Sequence, residues 1–167
     1  MTPTEQEATF PTRAEEESAP ALVAALGRTE AAVAAMRSGD PEPFIALWAN
    51  SPDATLFGAW GPIEKGTPRL IDTCRWVGNR YAGDRSAVEA TVENTVVASS
   101  GDLAYTVGFE RGPVRVDQGV QQNMEIRVTH IYRRLDGAWK LIHRHADFPP
   151  PDQRQAALAP RASSRSS

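Results

Sequence analysis

Two runs of alternating residues near the C-terminal end, joined by a single turn signal, constrain this chain more than anything else in it. Met124, Ile126, Val128, His130 and Tyr132 are interleaved with Glu125, Arg127, Thr129, Ile131 and Arg133; Asp136-Gly137 follows, and Trp139 to Asp147 returns. A period of two marks a strand with one buried face, and Asp-Gly between two such runs marks a hairpin. Upstream, Val88, Ala90 and Val92 alternate with Glu89, Thr91 and Glu93. Leu103, Tyr105, Val107 and Phe109 then alternate with smaller or polar residues after the turn Ser99–Asp102. The second half of the chain therefore reads as an antiparallel meander.

The first half reads as helices. Leu22, Leu26, Thr29, Val33 and Met36 recur at steps of four and three, the spacing of one helical face. Gly39 ends that helix, and Asp40-Pro41 opens a short second one carrying Phe44, Leu47 and Trp48. Ala54–Phe57 is a short strand, followed by the loop Gly58-Ala59-Trp60-Gly61-Pro62. Thr67-Pro68 opens a third helix, with Leu70, Ile71, Cys74, Val77 and Tyr81 on its buried side and a stop near Gly83. Helices followed by a meander give an α+β layer fold with an antiparallel sheet. The organisation reads as a tail over 1–18, one domain over 19–149 and a second tail over 150–167. Both tails lack the apolar residues needed to offset ordering entropy.

Composition narrows the function classes. The 167 residues are 41% hydrophobic with a net charge of -3, enough for a core and without the basic stripe of a nucleic-acid surface. The one cysteine, Cys74, makes no internal disulfide and no cysteine-rich zinc motif, and it reads as a buried, inert thiol. No basic-then-apolar leader opens the chain, and the apolar stretch Ala19–Leu26 is interrupted by Pro20 and too short to span a bilayer. The expectation is a cytoplasmic protein with no membrane and no nucleic-acid partner.

All three histidines lie in the closing hairpin. His130 shares parity with Met124, Ile126, Val128 and Tyr132; His143 and His145 share parity with Trp139 and Leu141. If Asp136-Gly137 is a two-residue turn, Leu135 faces Ala138 and His130 faces His143, so that all three rings converge on one inward patch beside Tyr132. A three-residue turn with a glycine bulge instead puts His143 and His145 on the face opposite His130. The two-residue turn keeps Trp139 and Leu141 with the apolar set. Three roles stay open for the rings: hydrogen-bonded structural residues, pocket acid–base groups, or metal ligands. No carboxylate nearby completes a ligand set, so no metal is expected.

Several segments together resemble the NTF2-like superfamily, in particular its SnoaL-like and ketosteroid-isomerase-like branch. They are Asp53-Ala54-Thr55-Leu56, Gly66, Leu103 to Gly108, Arg127 to Arg134 and Asp136 to His145, within a likeness covering about Ala21 to Asp147. The resemblance implies a cone, with a strongly curved sheet wrapped around a long helix and a pocket between them. It also implies a homodimer formed through the outer face of the sheet. The chain departs from the ketosteroid isomerase pattern where it matters for chemistry. The stretch Asp53 to Gly58 ends in glycine where those enzymes place a general-base aspartate, and the first helix has no tyrosine for an oxyanion site. That route to proton abstraction is therefore rejected.

Trp60, Phe57, Trp76, Tyr81 and Phe109 supply aromatic bulk for a small hydrophobic or ring-containing ligand. Trp60, in its Gly/Pro loop, is placed to cover a pocket mouth. Asp53 and Glu64 flank that loop, and Arg144, opposite in parity to its histidine neighbours, reads as a salt-bridge residue. The leading expectation is a small-molecule-binding domain, acting as a cofactor-independent isomerase, cyclase, dehydratase or hydrolase. In that reading His130 or His143 transfers the proton, with Tyr132 and His145 orienting. The rival is a non-catalytic ligand-binding or dimerisation module.

Overall fold

The computed structural model describes residues 13–81 and 90–149. Helix α1 spans Arg13–Arg37 and α2 spans Glu42–Ala46. Strands β1 (Thr55–Phe57) and β2 (Ile63–Lys65) then form a small hairpin, followed by α3 (Thr67–Arg80). The remaining strands are β3 (Thr91–Ser100), β4 (Leu103–Val114), β5 (Gln122–Leu135) and β6 (Ala138–Asp147).

The backbone of α1 is helical from Arg13, inside the segment read from sequence as a tail, and it continues through Pro20. An interior proline forfeits one backbone bond. Packing compensates, because Leu22, Ala25, Thr29, Ala32, Val33 and Met36 all bury their side chains. By length and composition Ala19–Arg37 also passes for a membrane-crossing helix; in this fold that buried stripe lies on the sheet. The rest of both tails, the stop near Gly83 and the strand residue Val88 lie outside the described residues.

Short elements are held by specific bonds. Asp40 Oδ1 accepts the Glu42 N–H at 3.1 Å, which caps α2. The segment after α2 runs along β6, with the Leu141 N–H donating to Leu47 and the Ala49 N–H to Leu141. Gly66, at φ 87°, turns the chain into α3 in a conformation that side chains rarely adopt. Thr67 Oγ1 donates to the Ala49 carbonyl at 2.8 Å and accepts from the Ser51 N–H at 2.9 Å.

The six strands form one curved, open sheet in the order β2-β1-β6-β5-β4-β3. The sheet is antiparallel as expected except for one pair, since β1 runs parallel to β6. Strand β2 had no clear sequence signal: three residues, Ile-Glu-Lys, after a Gly/Pro loop. Curvature has a visible cause at the β3–β4 pair, where the register shifts between Asn94 and Val96. Gly108 sits against that bulge, and a Cβ there would lie 1.9 Å from the Glu93 carbonyl oxygen. Only glycine fits.

The β5–β6 hairpin settles which side each histidine takes. The turn is the two-residue one, with Leu135 opposite Ala138, and Asp136 and Gly137 both at positive φ. The ladder is regular to Tyr132 opposite Leu141 and then shifts, so that Ile131 faces His143 and His130 faces Arg144. Ile142 is the extra residue. Past it every side chain of β6 takes the face opposite to the one that alternation predicts. Arg144 and Ala146 turn inward, and His143 and His145 turn outward.

Candidate active-site cavity

The helices and the inner face of the sheet enclose a cavity of about 80 Å³. That is several times the volume one water requires. Val33 and Met36 from α1, Val77 from α3 and Ile126 from β5 make most of its wall apolar. Its polar end is built by Glu110 and Arg144, both buried, with Arg37, Cys74 and Tyr81 also on the lining.

Arg144 grips Glu110 with both ends of its fork: Nη1 donates to Oε1 at 2.5 Å and Nη2 to Oε2 at 3.0 Å. The same Nη1 lies 2.7 Å from His130 Nε2. A guanidinium can only donate, so Nε2 is the acceptor and the ring proton sits on Nδ1. From there the bonds run in one direction. His130 Nδ1 donates to Thr106 Oγ1 at 3.5 Å, a long contact, and Thr106 bonds Tyr132. Tyr132 donates to Thr29 Oγ1 at 3.1 Å, since the Thr29 proton goes to the Ala25 carbonyl. Each hydroxyl gives one proton and takes one, and the chain ends on the backbone of α1.

Charge follows this geometry. Burial raises the Glu110 carboxyl, but the Arg144 guanidinium outweighs it and brings the group down to about 2, ionised at neutral pH. His130 is driven the other way. Burial, then the adjacent Arg144 charge, depresses it from 6.5 to about 3, so the ring is neutral. Burial pushes the Cys74 thiol up to about 12, which makes it an inert wall of the cavity. The hydroxyl of Tyr81 is also raised by burial.

At the mouth, Trp60 packs edge-on against Tyr81 and Phe148, and its indole N–H donates to Tyr81 Oη at 3.3 Å. The Arg80 guanidinium stacks 4.4 Å over the indole while pairing with Asp117. Of the aromatics proposed from the sequence for a ligand, Trp60 and Tyr81 line the cavity.

Four other candidates do not reach the cavity. Phe109 faces outward under the Arg111 guanidinium, because β4 turns its small and polar residues (Ala104, Thr106, Gly108, Glu110) to the inside. Phe57 lies on the outer face against His143 and His145. Trp76 is on the solvent side of α3, and Asp53 is an exposed partner of Lys65.

The three histidines therefore do not converge. His130 and Tyr132 are buried on the inner face behind the cavity's polar end, and His143 and His145 lie on the other side of the sheet. Among the described residues no three His, Cys, Asp or Glu side chains are grouped to hold a metal. Arg144 is a salt-bridge residue as expected, but an inward one, and its partner Glu110 was not singled out. A signal existed: Glu110 is the one acid on the small-residue parity of its strand.

Comparison with known proteins came to the same architecture. The model of the SnoaL-like domain matches residues 28–151. No curated protein matches the chain. Among solved structures, an NTF2-like family protein from Streptomyces avermitilis superposes with a TM-score of 0.63 at 16% identity, covering 80% of this chain and 97% of that one. A nuclear transport factor 2-like superfamily protein from Salmonella enterica serovar Typhimurium gives 0.61 at 13%, covering 90% and 99%. A ketosteroid isomerase-like protein from Erwinia carotovora atroseptica gives 0.60 at 20%, covering 80% and 94%. At such identities the likeness is one of fold.

Proposed function

Because the chain belongs to the SnoaL-like family, a family containing isomerases and dehydratases, we propose that it binds a small hydrophobic or ring-containing molecule in the cavity between α1, α3 and the sheet. The ligand's apolar body rests on Val33, Met36, Val77 and Ile126, and one polar group meets Glu110 and Arg144. The observation that carries this reading is the buried Glu110–Arg144 pair at the polar end of a largely apolar chamber. Such a pair adds little stability over apolar residues of equal volume. Its value lies in what it can hold.

Binding is favoured over proton transfer. A general base works best when its pKa lies near the working pH, and a carboxylate at about 2 is a weak one. His130 has both ring nitrogens engaged and stays neutral. Cofactor-independent isomerase, cyclase, dehydratase or hydrolase chemistry is the second reading, supported by the family's membership. In it Tyr81 and the Glu110–Arg144 pair, rather than the histidines, touch the reacting group. A cytoplasmic setting, where Cys74 stays a thiol, belongs to the same proposal.

The reading also includes a homodimer through the outer sheet face, where Val96, Tyr105 and Val107 are each 40–44% exposed. Native mass spectrometry of the freshly purified protein tests both parts, by an organic adduct and by subunit count. A Val77→Trp variant, which fills the cavity, should lose the adduct and weaken 2-naphthol binding at least about tenfold, read by isothermal titration calorimetry. Equal affinity in wild type and variant would place the ligand elsewhere.

A further inference from the structure

The register lays two rows of side chains across all six strands of the outer face. One row runs Lys65, Thr55, His143, Ile131, Tyr105, Ala98, and the next runs Ile63, Phe57, His145, Thr129, Val107, Val96. Both rows are apolar or hydroxylic except for Lys65 and the two histidines. These two rows cover about 400 Å², from the usual strand spacing and rise, and the flanking outward residues of β3 to β6 extend the face toward the ~800 Å² per partner of a standard interface. Most of the face's charged border is matched within the chain, since Arg127 pairs with Asp147, Arg111 with Glu93 and Glu125, and Lys65 with Asp53, while Arg133 adds a positive charge beside Ile131. A face whose charges are largely paired and whose centre is apolar suits a partner of the same kind, and a second copy is one.

We propose that His143, with His145 beside it, makes this self-association proton-sensitive: two copies pair while the His143 ring is neutral and separate as it takes up a proton. The inference rests on the homodimer reading above. Few groups near the rings could offset a new charge. From β1 they meet Thr55, whose Oγ1 bonds His143 Nδ1 at 2.7 Å, and Phe57, which packs edge-on against both. From β5 they meet Ile131 and Thr129, and from β2, beyond β1, lie Lys65 and Ile63. Along β6, Asp147 is the one acid near His145, and Arg127 holds it. On the His143 side Lys65 is held by Asp53, and Arg133, two residues along β5 from Ile131, adds repulsion. In a paired state each copy would bring two such rings into contact area, and burying a charge without a partner is strongly disfavoured.

The sign is fixed by linkage. The dimer binds fewer protons than the free protomers, so affinity is flat at neutral and alkaline pH and falls as pH drops below the ordinary histidine value, where His143 takes up its proton. Burial, then His145, already lowers His143 in the single chain, and pairing lowers it further.

Sedimentation velocity of the full chain at pH 7.5 and 5.5 tests this, with near-UV circular dichroism to follow the fold. The dimer dissociation constant should rise about tenfold or more at pH 5.5. The His143→Gln/His145→Gln variant should dimerise at both pH values with little change, and Val107→Asp should be monomeric at both. A wild type that is monomeric at every pH defeats the dimer itself. A dimer indifferent to pH, or a pH response that survives in the double glutamine variant, overturns the histidine assignment while leaving the dimer in place.

Discussion

The two halves of the closing hairpin obey the same backbone rules and deliver opposite results. From the Asp136-Gly137 turn to the Tyr132–Leu141 pair, β5 and β6 match residue for residue, and Trp139 and Leu141 enter the core. From Ile142 onward the same alternation continues, displaced by one residue, and it is Arg144 and Ala146 that enter. One extra residue exchanges a pair of inward histidines for a single inward arginine. The turn-side half builds core, and the half past the bulge builds the polar end of the cavity inside and a histidine-bearing face outside.

The sharpest way to break this comparison is to remove the residue that the bulge delivers. Arg144→Ala leaves Glu110 buried without its guanidinium, and unfolding in urea should show a loss of about 3–5 kcal/mol. Replacing both partners, Glu110→Leu with Arg144→Met, should restore most of it. Equal losses in the single and double variants would mean that the pair is not coupled as described.

A smaller effect comes from His130. Its folded pKa of about 3 lies below the ordinary 6.5, so the native state takes up fewer protons and stability falls as pH drops from 6.5 toward 3. Between pH 6.5 and 4.5 that amounts to roughly 2–3 kcal/mol. His130→Gln should flatten the profile across this window, because glutamine can accept from Arg144 and donate to Thr106. Glu110 contributes with the same sign at lower pH: its depressed pKa stabilises the fold above about 4.5, and that contribution is lost as pH falls toward 2. Stability against pH for the wild type and His130→Gln separates the two groups.

The mildest change is deletion of Ile142. It removes the extra residue and lets His143 follow Leu141 in a regular ladder, with Arg144 still inward. A loss of only about 1–2 kcal/mol is expected, within the range of an ordinary substitution. Coupling between residues 110 and 144, measured by a double-mutant cycle in the deleted background, should persist. Its disappearance would show that the bulge does more than carry the shift.

Much of the fold was legible without coordinates, and particular residues show why. Thr67-Pro68, Asp136-Gly137 and the four-and-three spacing of Leu22, Thr29, Val33 and Met36 are local signals with local causes, and the elements follow them. The likeness to the SnoaL-like branch carried the fold, with helices on a curved sheet. The site was less legible. Trp60 and Tyr81, proposed from the sequence for a ligand, line the cavity, whereas Phe109 was placed inward by an alternation whose inward side was misassigned, and Phe57 lies on the outer face. In β4 the larger residues Leu103, Tyr105 and Val107 are the exposed ones. A period of two states that two faces exist; it does not say which one the helices cover.

By itself the sequence determined the class, the order of elements, the two-residue turn and a core large enough to enclose a cavity. It did so because propensity, capping and periodicity act over a few residues. The tertiary structure alone decided that Arg144 replaces His143 inside, that Glu110 is its partner from a strand 34 positions away, and that the two outer histidines stand in an apolar face. A bulge has no fixed sequence mark. Its position emerges when strands of different curvature are pressed together, and every side chain beyond it takes its face from that event.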